Sequence, residues 1–138
     1  MNRLPAIVSG LIGMLILGMW AAFIKGGVFR EGLKTVENNQ YLAFHVAAET
    51  LMGLTLAAGA VGMLTRRWWG TAVALLGWGA VIYSAINSLS HTVKNEQRLT
   101  PMLLATLGVG LAVAGALVRA GFRGQKAADE PGIRAMRK

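Results

Sequence analysis

Apolar residues fall along this chain in four long blocks, each nearly free of charge and separated from the next by a polar stretch. A helix needs about 20 consecutive apolar residues to cross a hydrocarbon core roughly 30 Å thick. Backbone polar groups inside lipid must bond to one another, so each block is predicted to be an α-helix. The pattern therefore predicts an all-α fold, an integral membrane four-helix bundle with spans near 5–24, 41–64, 71–91 and 101–118.

The punctuation between blocks agrees with this division. Pro5 suits an early helical position, and Gly26-Gly27 should end the first span. Within the connection that follows, 25–40, the stretch Val28 to Lys34 reads as a short segment lying at the interface. The turn from Thr65 to Gly70 carries Arg66, Arg67, Trp68 and Trp69, a basic anchor and an aromatic belt in one place. Thr100-Pro101 is a good helix start, with the hydroxyl as N-cap and proline at the first helical position. Beyond Val118 the residues 119–138 read as a mobile, basic cytoplasmic tail.

Small residues allow helices to approach closely in lipid, where no hydrophobic force drives them together. Ser9 with Gly13 and Gly18 with Ala22 are such pairs on the first span. Gly53 with Ala57 serves on the second, and Gly108, Ala112 and Ala116 on the fourth. These rows are expected to be the contact faces of the bundle.

Composition narrows the function. The 138 residues suffice for one domain, and 54% of them are hydrophobic. The net charge of +8 invites a nucleic-acid reading, but the basic residues flank the apolar blocks and line no soluble face, so nucleic acid is not an expected partner. They suit anchoring at a bilayer, with anionic lipid as partner at the cytoplasmic surface. Cysteine is absent, which excludes disulfides, thiolate metal sites and thiol catalysis. The first block ends in Met19-Trp20-Ala21-Ala22-Phe23, a bulky run that makes a poor cleavage site, so no removable signal peptide is expected. Nine of the 14 Lys and Arg residues fall on the side holding the N-terminus, the 65–70 turn and the tail. The positive-inside rule then gives N-in/C-in, in the cell inner (plasma) membrane.

The candidate chemistry gathers in one place. Glu49 is the single carboxylate within the apolar blocks. A charged side chain there is costly, normally faces protein or water, and is often functional. His45 lies one turn away on the same helical face. The third span runs the opposite way and presents Ser84, Asn87, Ser88 and His91 on one face, with Tyr83 close by. Ser84 falls at about the depth of Glu49, and Asn87 at about that of His45. Three readings stay open. Glu49 could belong to a structural network bonded to Ser84 or Asn87. It could be a proton- or cation-binding site with His45 as relay. Or His45 and His91 could ligate haem or a metal, for which imidazole is suited. No phosphate loop, nucleophile elbow or carboxylate pair is present.

The stretch Tyr41-Leu42-Ala43-Phe44-His45-Val46-Ala47-Ala48-Glu49, with the Gly/Ala-rich run after it, resembles a family of small prokaryotic four-pass membrane proteins without assigned activity. Val81-Ile82-Tyr83-Ser84-Ala85-Ile86-Asn87-Ser88 carries the same resemblance, which covers the second to fourth spans. It implies the architecture and directs attention to His45, Glu49, Tyr83 and Asn87. Small multidrug exporters are also short and four-pass with one intramembrane glutamate, but theirs belongs to the first span, which here has no acidic residue. The expected function is non-enzymatic: association with itself or as an accessory subunit of a larger membrane complex. The alternative is a small transporter or proton- or cation-binding protein using Glu49 and His45. A haem or metal protein comes third.

Overall fold

The computed structural model describes residues 3–27, 39–95 and 100–135, with side chains at 3–27, 43–89 and 100–121. Among the described residues all regular structure is helical: α1 (Leu4–Lys25), α2 (Asn39–Leu64), α3 (Gly70–Asn95) and α4 (Thr100–Ala135). The four correspond to the four expected spans, and each is long and apolar enough to cross a membrane. The segment 28–34 lies outside the described residues.

Local chemistry explains where the helices stop. α1 starts with proline in its first turn and ends at Gly26, whose N–H donates to the Ala22 carbonyl at 2.8 Å. Gly27 then takes a positive φ of 76°, which costs glycine little. α2 closes differently. The Arg67 N–H reaches back to the Gly62 carbonyl at 2.8 Å and the Arg66 N–H to Met63 at 3.2 Å. This paired return is a Schellman close, and it puts Arg66 at φ 57°, the left-handed position that glycine usually fills.

α4 extends past the expected span end at Val118, to Ala135. Residues 125–130 are rich in Gln, Lys, Ala and Glu, which favour helix once a preceding turn has nucleated it. The Thr100 hydroxyl, expected to cap the helix, is instead buried with no hydrogen-bond partner among the described residues.

Each helix packs mainly on its successor, and α4 barely touches α1. The α1–α2 contact runs through the expected small residues. A methyl group placed on Gly13 would stand 2.7 Å from the Gly53 carbonyl and 2.9 Å from the Ala57 amide. Between α2 and α3 the approach is equally close at Gly59, where added carbon would lie 2.5 Å from the Ala74 backbone nitrogen. Leu56 and Trp78 fill the centre and are fully buried. The Trp78 indole N–H donates to the Ser9 hydroxyl at 2.8 Å, and that hydroxyl donates to the Pro5 carbonyl at 2.7 Å, so this buried pair is satisfied.

The other small-residue rows do not pack inside. Gly18 and Gly108 have open space around them, and Ala22, Ala112 and Ala116 are exposed. α4 turns a different face to α3, with Gly110 against Ile82 and Trp78, and Leu117 in the core. The four-residue spacing was real on both faces of α4, and volume decided between them: the flat surface at Gly110 leaves room for the Trp78 ring.

Outward positions are strongly apolar, including Leu11, Met14, Leu15, Phe44, Leu51 and Leu76. Water would penalise such a surface, whereas lipid is its natural solvent.

Candidate functional site

Glu49 lies on α2 toward its N-terminal end and turns inward, with 16% of its side chain exposed. Donors on three helices meet its carboxylate. From α1 the Trp20 indole N–H donates to Oε2 at 2.7 Å. From α3 the Ser84 hydroxyl donates to Oε1 at 3.3 Å. From α2 itself His45 Nε2 stands 3.3 Å from Oε1, one turn away. The two oxygens are thus used by different partners, one facing α1 and the other facing α3 and His45.

The surroundings fix the donors. The Trp20 ring stands edge-on to Phe23, with centroids 5.7 Å apart, and edge-on to His45 at 6.2 Å. These contacts place the indole beside the His45 ring, with its N–H toward the carboxylate. Indole nitrogen only donates, so Oε2 must accept whatever the protonation state of the acid. His45 is about one-third exposed, which leaves one edge of the cluster open to the outside.

The expected neighbours divide into those gathered and those not. Ser84 joins Glu49 and His45 as the depth argument required. Asn87, one turn further along α3, is exposed but not without a partner of its own. Tyr83 is 73% exposed and turned to the outer surface, away from the cluster it was expected to join; it stands next to Ser84 in the chain, about 100° around the helix. The side chain of His91 lies outside the described residues. Trp20 was missed, because a tryptophan near a span end reads as an interface anchor. No depth match signalled it, since Trp20 is four residues from the end of the 5–24 span and Glu49 eight from the start of 41–64.

Chemically the cluster can hold one carboxylate firmly and share a proton between it and an imidazole. His45 and Glu49 are two potential metal ligands, short of the three or four protein ligands that zinc takes, and no group of three lies among the described residues. A bis-histidine site would need His91.

A family described as a domain of unknown function, DUF8058, matches residues 1–120. The chain belongs to the DUF8058 family. The match covers all four candidate membrane spans except the last residue of the fourth, and the whole Glu49 cluster, so in this DUF8058 protein the cluster is part of the family domain and not of an appended segment. No curated protein and no solved structure matches the chain.

Proposed function

We propose that this is a non-enzymatic integral membrane protein, with both termini in the cytoplasm, that acts by associating with itself through the outward face of α4. The observation that carries this reading is the division of labour among the helices. Glu49, Trp20, His45 and Ser84 tie α1, α2 and α3 into one unit, while α4 stays outside that tie. Ala105, Gly108 and Ala112 face outward from α4, with no heavy atom near the Gly108 position. Such a row packs poorly against lipid chains and well against another helix backbone.

The test uses the natural absence of cysteine. Ala105→Cys in reconstituted full-length protein should give disulfide-linked dimers on mild oxidation. Adding Gly108→Leu should abolish them while leaving the unfolding transition in place. Cross-linking that survives Gly108→Leu, or that falls equally with Gly18→Leu on α1, overturns the reading.

One observation favours a second reading, in which Glu49 and His45 bind a proton or small cation. His45 is within 3.3 Å of the carboxylate and one-third exposed, so the pair is reachable from outside. Under this reading proteoliposomes should leak protons or cations faster than empty vesicles, and Glu49→Gln should remove the excess. Equal leakage by wild type and Glu49→Gln refutes it.

A further inference from the structure

At the opposite end of the bundle from Glu49, Arg3, Arg66, Arg67 and Arg119 line one open cavity of about 1180 Å³. They come from the start of α1, the α2–α3 turn and α4, so the fold gathers charges that the chain disperses. Glu49 is the only carboxylate among the described side chains, and it lies near the far ends of the spans. Among the described side chains the cavity is therefore cationic with no counter-charge. Its walls below the arginines are apolar, with Ala6, Leu117, Gly115 and Ala116 between α1 and α4, which hardly touch.

We propose that this cavity is a binding site for the phosphate headgroup of an anionic phospholipid, with the upper acyl chain lying in the gap between α1 and α4. Three features select this occupant. The four arginines stand level with the ends of the four membrane spans, where lipid phosphates sit. Guanidinium groups match phosphate through paired N–H donors, which an ammonium cannot do. The apolar lower wall suits a ligand with a charged head and a hydrocarbon body, and a free ion would leave it empty.

The backbone supplies an independent sign. Arg66 occupies the left-handed closing position of α2, at φ 57°, where glycine would be unstrained. An unfavourable conformation retained at a charged residue points to use of that charge. It also yields a variant that removes the cation without harming the fold.

The experiment measures retained lipid by native mass spectrometry, after incubating the full chain with phosphatidylcholine vesicles with and without phosphatidylglycerol. Wild type should retain phosphatidylglycerol in preference to phosphatidylcholine. Arg66→Gly and Arg119→Gln should each weaken retention about fivefold, as loss of one surface arginine implies. Lys25→Gln removes the same charge at the other end of α1 and should leave retention unchanged. Equal losses in all three variants overturn the proposal, since they reflect net charge alone. Displacement of the lipid by millimolar inorganic phosphate also overturns it, because the site would then recognise phosphate without its lipid. Running the series in the Gly108→Leu background keeps the result separate from association.

Discussion

Trp20→Phe tests the Glu49 tie most directly, because it keeps an aromatic ring at the position and deletes the one N–H. The bond it removes is short, 2.7 Å, and its acceptor is a carboxylate. Hydrogen bonds to charged groups contribute about 1.5–3 kcal/mol in soluble proteins. Interhelical bonds in membranes average about 0.6 kcal/mol and reach about 1.7. The structure decides within that range. Glu49 is only 16% exposed, so water cannot easily replace the lost donor, and the cost should be near the upper end, about 1.5 kcal/mol. Loss of ring volume adds to this, and a double-mutant cycle with Glu49→Leu separates the two terms. Unfolding in mixed micelles with a rising fraction of SDS, followed by far-UV circular dichroism, gives each free energy.

Glu49→Gln is the companion variant, and the geometry gives it a different outcome. An amide has one acceptor oxygen and one donor group. With the oxygen turned to Trp20, its NH2 faces the Ser84 hydroxyl and His45, both of which can accept. Glu49→Gln should then stay within about 0.5 kcal/mol of wild type. A coupling energy between Trp20→Phe and Glu49→Leu below about 0.3 kcal/mol would refute the tie. So would a Glu49→Gln cost larger than that of Trp20→Phe, because the charge itself would then be required.

Other outcomes follow from the packing and topology. Gly59→Ala puts carbon 2.5 Å from the Ala74 backbone nitrogen and should cost about 1–3 kcal/mol in the same unfolding assay. Gly18→Ala, with nothing within 4 Å, should be neutral or stabilise by about 0.5–1 kcal/mol. Ser9→Ala removes the acceptor of the Trp78 N–H at a fully buried site and should cost about 1–3 kcal/mol. Cysteines introduced at Val36 and Ala128 should label from opposite sides of sealed vesicles, with position 128 on the cytoplasmic side. Labelling of both from one side contradicts the four-pass topology.

The helices were legible because lipid leaves the backbone no alternative, and apolar length alone then locates each span. The Glu49–Ser84 approach was legible because antiparallel helices joined by a short turn put residues of equal depth side by side, and the Glu49–His45 approach because residues four apart share a helical face. Trp20 and Trp78 were not. Nothing in a single helix says which of its neighbours a large ring will meet. Trp78 proved to be the centre of the core, and its bulk against the flat surface at Gly110 settled which face of α4 turns inward. Rotation of a helix about its axis depends on such pairwise fits, and periodicity reports only that a stripe exists. The arginine cavity was invisible for the same kind of reason. Arg3 and Arg119 are separated by almost the whole chain, and only the gap between α1 and α4 brings them to one space.

The two ends of the bundle should behave as separate systems. Glu49 lies on α2 and Arg66 in the turn that closes it, and 17 residues at about 1.5 Å each put them roughly 25 Å apart. Effects of sites that far apart with no shared partner usually add. The expected signs are opposite. Trp20→Phe loosens the Glu49 end, while Arg66→Gly relieves a left-handed arginine and should stabilise by about 1 kcal/mol. The double variant in detergent without anionic lipid should then fall only about 0.5 kcal/mol below wild type. Anionic lipid changes this balance at one end alone: it should raise the stability of wild type and Trp20→Phe equally and help Arg66→Gly less. A Trp20→Phe protein that loses the lipid response would mean that the ends are coupled through α2, and the polar tie would then have to be read as part of lipid recognition and not as a fastening of three helices.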